Sequence, residues 1–194
     1  MPMKVWCPAV LLVSLSLAAV SALAADACVP DRAALLALDG QAFDQDLTGG
    51  WRPIAEKPGC LMAAADLLRD YRAAHPQEPA RILYWHEGQV RALAGDTAAL
   101  TLMEQSHDSR DTSRAQAWNA YVDATLAFLR HDRPALQAAR DRLSHVPRPP
   151  LESDTTGDSM MMLSWPMNMG IVDGLLACFG KPYADAYGGS CTTP

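Results

Sequence analysis

The apolar and polar positions follow a helical period along most of the chain. Behind Pro30-Asp31, residues Leu35, Leu38, Ala42 and Phe43 share one face, which predicts a helix with Asp31 as N-cap, running out near Asp44. From Asp46 to Gly59 the glycines and prolines predict a loop, with one turn around Trp51-Arg52-Pro53-Ile54. Trp51 is read either as a binding aromatic on that loop or as a plug at the end of a helical core. Cys60 to Ala74 is the cleanest amphipathic stretch. Leu61, Ala64, Ala65, Leu68 and Tyr71 line one stripe, Asp66, Arg69, Asp70 and Arg72 hold the other, and Pro76 stops it.

The stretch from Ile82 to Asp96 reads as a long helix that turns at Gly95-Asp96 and restarts at Thr97, a candidate N-cap for a helix through Gln105. It has an echo from Trp118 to Asp132, at an offset of 36 residues, which places Glu87 on Asp123, Gly88 on Ala124 and Asp96 on Asp132. Ser106 to Ser113 is a polar connection between the two. The echo turns at His131-Asp132 and resumes with Asp132 as cap, Pro134 in the first turn, and Leu136, Ala139 and Leu143 as a buried row. Residues 146–159 carry three prolines and no apolar period, so they read as a connecting loop. Beyond it, Val172-Asp173-Gly174 matches Val122-Asp123-Ala124, and a break at Gly180-Lys181-Pro182 precedes a short helix. Asp39-Gly40-Gln41 resembles Glu87-Gly88-Gln89 and joins the first helix to the set. With few β-branched residues and no sustained alternation, the fold class is all-α, in three to four antiparallel hairpins.

Lys4 followed by the apolar run Val10 to Val20 and by Ala22-Leu23-Ala24 marks residues 1–24 as a secretory leader, too short to span a bilayer. Residues 25–194 then form one domain, destined for the periplasm or the exterior, with no further stretch apolar enough to span a membrane. Its four cysteines, Cys28, Cys60, Cys178 and Cys191, fit an oxidising compartment. Of three possible pairings, Cys28 with Cys60 and Cys178 with Cys191 clip one end of the chain each. Losing Lys4 takes the formal charge from −6 to −7, an acidic balance that argues against nucleic acid as partner.

The hairpin of about 36 residues, with a small residue mid-helix (Gly88, Ala124) and a Gly or polar turn seven residues on (Gly95, His131), resembles the tetratricopeptide repeat. It departs from that pattern at Glu87, Asp123 and Asp173, which stand where a large apolar residue is usual, and at Leu100 and Leu136, which replace a consensus alanine. The resemblance implies a short α-solenoid that binds a protein or peptide on its concave face, without catalysis.

Two sets of residues are candidates for such binding. Asp39, Glu87, Asp123 and Asp173 each precede a small residue, so stacked helices would align them as an acidic stripe suited to a basic peptide; the competing reading is acids paired with Arg91, Arg130 or solvent. Trp85, Trp118 and Tyr121 are candidate interface aromatics, or core at helical spacing. His86 beside Glu87 points about 100 degrees away from it, so the two do not converge on one substrate. No nucleophile elbow, phosphate loop or helical metal pair is present, and no cofactor is implied. The alternative function is soft-metal binding: Met160, Met161, Met162, Met167 and Met169 offer thioethers suited to Cu(I), although methionine also fills cores.

Overall fold

The computed structural model describes residues 28–29, 31–150, 165–189 and 191. The expected secretory leader at residues 1–24, residues 151–159 of the proline-rich connection and Met160 to Met162 lie outside the described residues. Among the described residues all regular structure is helical. The chain divides into two compact units, the first ending at Leu67 and the second beginning at Leu68.

In the first unit the expected long helix is not continuous. A short α1 (Arg32–Leu36) is followed by one turn of π-helix, Gln41–Gln45, and then by α2 (Arg52–Ala55). The interruption has a local cause: the Asp39 carboxylate accepts from the Ala42 backbone N–H at 2.8 Å, so Asp39-Gly40 starts a new turn instead of sitting mid-helix. Asp31 makes no side-chain capping bond, a further correction to the sequence reading. Trp51 is buried, and its indole N–H donates to the carboxylate of buried Asp44 at 3.0 Å. The tryptophan is therefore a core plug. Cys28 and Cys60 are joined in this unit, with Cα atoms 5.6 Å apart.

Helix α3 (Leu61–Ala74) carries the expected stripe: Ala64, Ala65, Leu68 and Tyr71 are fully buried. In the second unit follow α4 (Ala80–Leu93), α5 (Ala99–Glu104), α6 (Ser113–Leu129), α7 (Arg133–Ser144), α8 (Met169–Ala177) and α9 (Tyr183–Tyr187). Helix α6 is the hub, packing against α5, α7 and α8, with ten of its 17 residues buried. Such burial explains why its sequence is rich in alanine and lacks a clean polar face. Thr112 caps it by accepting from the Ala115 N–H at 3.1 Å, so it starts inside the stretch expected to be a connection. Helix α9 packs on both α8 and α4, and the second disulfide, Cys178–Cys191, joins the end of α8 to the chain beyond α9.

The two turns at the 36-residue offset share one backbone geometry. In each, a residue with positive φ (Gly95 at 75°, His131 at 56°) ends the helix. The aspartate after it donates its N–H to a carbonyl five residues back, Asp96 to Arg91 and Asp132 to Ala127, both at 2.9 Å. This is the Schellman motif, which satisfies carbonyls that the helix end would leave unpaired. Both aspartate carboxylates then accept a backbone N–H just beyond the turn: Asp96 that of Ala98, ahead of α5, and Asp132 that of Ala135, which caps α7. The shift by one position follows from Pro134, which has no N–H to offer. Neither Asp96 nor Thr97 caps α5: its N-cap position is Ala98, and the helix start makes no side-chain capping bond.

Within the α4–α5 hairpin the close approach falls at Gly88. A Cβ there would lie 2.8 Å from Met103 Cγ and 3.3 Å from both the Ala99 carbonyl and the Met103 nitrogen. Gly88→Ala gains up to about 1 kcal/mol of helix propensity but loses roughly 1–3 kcal/mol to overpacking, so a lower urea midpoint is expected. An unchanged or higher midpoint would show that α5 yields freely. His131→Gly should do the opposite. Relief of about 1–2 kcal/mol of left-handed strain, less the roughly 0.5–1 kcal/mol entropic cost of glycine, leaves a net gain readable as a higher Tm; a lower Tm would mean that the imidazole makes a stabilising contact.

Candidate functional site

The acids that precede small residues do not form an open stripe. The Glu87 side chain is 2% exposed and is held between the Arg72 guanidinium of α3, at 2.5 Å, and that of Arg91, one helical turn on, at 2.9 Å. Arg91 also reaches Asp96 at 3.0 Å. Asp123, with a 40% exposed side chain, accepts from Arg142 of α7 at 2.8 Å and lies 2.9 Å from His107 Nε2. Asp173 is exposed and paired with Arg140 of α7 at 2.9 Å. Asp39 spends its carboxylate on the Ala42 N–H, as described.

A common logic links three of these acids. Each takes a basic side chain from the element before its own helix: Arg72 of α3 for Glu87, His107 of the α5–α6 connection for Asp123, and Arg140 of α7 for Asp173. At Glu87 and Asp173 the glycine that follows, turned about 100 degrees around the helix, meets the element after it. Gly88 faces Ala99 and Met103 of α5, and Gly174 faces the Ala186 carbonyl of α9. The pair reads both neighbours of its helix.

The aromatic candidates do come together, but inside. Trp85 and Tyr121 are buried and Trp118 is half-buried; the Trp85 ring lies 5.2 Å from Trp118 and 4.8 Å from Tyr121. The Trp118 N–H donates to the Ser106 carbonyl at 2.7 Å, and the Arg81 guanidinium stands 5.0 Å over its ring. Burial pushes the Tyr121 phenol far above its ordinary range, so it stays neutral. Of the methionine candidates, Met167 and Met169 are half-buried, and Met169 packs against the core of the second unit.

What the sequence reading missed is a groove of about 300 Å³ in the second unit. Three helix-to-helix turns converge on it: the α4–α5 turn, the α6–α7 turn at Leu129 and His131, and the α8–α9 turn at Lys181, Pro182 and Tyr183. Its floor is apolar, with Leu93, Leu100, Phe128 and Leu129 among the lining residues, while Asp96, Thr97, His131 and Lys181 bring polar groups to it. The volume is at the small end of ligand clefts, which begin near roughly 300 Å³. A sequence signal existed only in the turns themselves, since nothing in Leu93 or Leu129 announces that their helix ends lie side by side. No protein-family model, curated protein or solved structure matches the chain.

The connection after α5 holds a second feature that its polar composition concealed. Asp108 is 8% exposed and accepts two bonds from the Arg110 guanidinium Nε, at 2.9 and 3.1 Å, and one from Nη2 at 2.6 Å. Its own backbone N–H and carbonyl are bonded at 2.8 Å to the Asn119 amide. Bonding from Arg110, with Arg81 nearby, holds its carboxyl down to about 2. A depressed folded-state value means a stabilisation present above the ordinary carboxylate range and lost as pH falls through about 2. Wild type should therefore exceed Asp108→Asn in urea midpoint at pH 5 to 6, with the gap closing toward pH 2. A gap independent of pH would assign the effect of the substitution to packing.

Proposed function

We propose that the protein is an exported, non-catalytic protein-interaction module, built as a divergent tetratricopeptide-like stack of helical hairpins and working in the periplasm or outside the cell. The observation that carries this reading is the convergence of three helix-to-helix turns on one apolar groove. Supporting it are the shared Schellman turns at the 36-residue offset and the small-residue contact of the α4–α5 hairpin. The Cys28–Cys60 and Cys178–Cys191 disulfides suit an oxidising compartment, and no described helix is long and apolar enough to cross a membrane.

The partner in this reading is a protein or peptide, and it meets the turn groove rather than the acids and aromatics named from sequence. Glu87, Trp85 and Tyr121 are buried, and Asp123 and Asp173 are engaged by arginines. A partner gains most where apolar surface is still open to water, at about 25 cal/mol for each Å² covered.

A photo-crosslinking residue placed at Thr97 or Lys181, both exposed on the groove, tests this in cells that export the protein. The same residue at Gln137, exposed on α7, is the control. Discrete adducts of one size from both groove positions, absent from position 137, are the expected outcome. Equal labelling at all three positions, or none at the groove, overturns the reading.

A further inference from the structure

Resting on that reading, we infer that the groove takes a partner segment in which a bulky apolar side chain is flanked by acidic residues. The argument starts from the floor. Leu93, Leu100, Phe128 and Leu129 present carbon to a space of about 300 Å³, which suits one or two large side chains and is too small for a helix to enter. Tyr183 adds a neutral wall, because burial pushes its phenol far above the ordinary range.

The rim decides the charge of the flanking residues. Its anion, Asp96, is already spent: one oxygen accepts the Ala98 N–H at 2.9 Å and the other the Arg91 guanidinium at 3.0 Å. Asp132, beside His131, is committed to the cap at Ala135. Lys181 is exposed, and its ammonium makes no ion pair among the described residues. His131 brings a ring N–H in either neutral tautomer, and Arg133, over the Phe179 ring at 5.5 Å, adds a cation near the same turn. The carbonyl ends of α4 and α6 oppose an anion, but the Schellman bonds already engage carbonyls there and such fields fade within one turn. The acidic balance of the whole chain is screened beyond about 8 Å at physiological ionic strength, so the rim charges dominate at contact.

Three amidated, acetylated hexapeptides test the assignment on the oxidised full-length mature chain: Gly-Leu-Phe-Glu-Glu-Gly, Gly-Leu-Phe-Lys-Lys-Gly and Gly-Ser-Ser-Glu-Glu-Gly. Binding is read from methyl NMR shifts of Leu93, Leu100 and Leu129. The expected result is about tenfold tighter binding of the first peptide than of the second, with no groove shift from the third. Lys181→Glu, at an exposed position, should reverse the preference between the first two. Equal affinity for the acidic and basic peptides overturns the charge assignment, and equal shifts from the serine peptide overturn the apolar anchor. Absence of groove shifts with all three overturns the whole inference. If crosslinking at Thr97 and Lys181 nonetheless succeeds, the interaction module stands with a different ligand; if it fails too, both fall.

Discussion

Everything in the second unit depends on how closely its helices approach. The chain is rich in alanine and only 7% aromatic, so its helices cannot fill wide gaps and must instead come near enough for small side chains to touch. Gly88 against Ala99 and Met103 is the tightest case, and the fully buried Ala124 of α6 belongs to the same pattern. Dispersion falls steeply with separation, so a methyl group added at such a point would cost more than its own burial returns. The Schellman turns complete the constraint. They reverse the chain within a few residues and fix where each following helix begins, so that Leu136, Ala139 and Leu143 of α7 arrive buried.

Charge is used on the same scale. A carboxylate as buried as Glu87 is costly to desolvate, and bonding to both Arg72 and Arg91 offsets that cost. The arrangement is weak as a source of net stability but strict in register. A helix slid by one residue would leave an arginine or a carboxylate without its partner in a low-dielectric setting. Burial declines from Glu87 through Asp123 to Asp173, so the constraint is strict near α3 and loose at the exposed edge of α8. The exposed ion pair of Asp173 with Arg140 lies in the range where such pairs contribute little.

Much of the helical layout was legible in the sequence because it rests on local chemistry. The α3 stripe, the turns at Gly95 and His131, the Asp132 cap and the buried row of α7 follow from spacing that nearest neighbours dictate, and the two disulfides each clip one end of the chain as expected. The failures have one physical type. Asp39-Gly40 looks like Glu87-Gly88 in sequence, yet the Asp39 carboxylate, which no arginine among the described residues engages, bonds its own backbone where the helix breaks. Thr97 does not cap α5: the Asp96 carboxylate takes the Ala98 N–H within the turn, and the helix begins only at Ala99. Of the acids and aromatics named from sequence, Glu87, Trp85 and Tyr121 lie in the interior, while Asp39, Asp123 and Asp173 stay at the surface with their carboxylates engaged. Whether a carboxylate faces solvent or an arginine of another helix is a long-range fact that no local window contains.

The same distinction separates the groove from those residues. Trp85, Trp118 and Tyr121 are spent on one another, and removing them from each other to meet a partner would cost the core what the interface gained. Leu93, Leu100 and Leu129 of the groove are only half-buried and keep apolar surface open to water. Leu93 and Leu129 sit on helix ends whose backbone is already fixed by the turns, so a ligand there would order little that is not ordered, and low ordering cost is what lets a small contact bind at all. A cleft assembled from turns also varies independently of the helices beneath it. Under the proposed reading, substitution at Thr97 or Lys181, exposed on either side, would change what the groove recognises while leaving untouched the close contacts and buried charges between the helices.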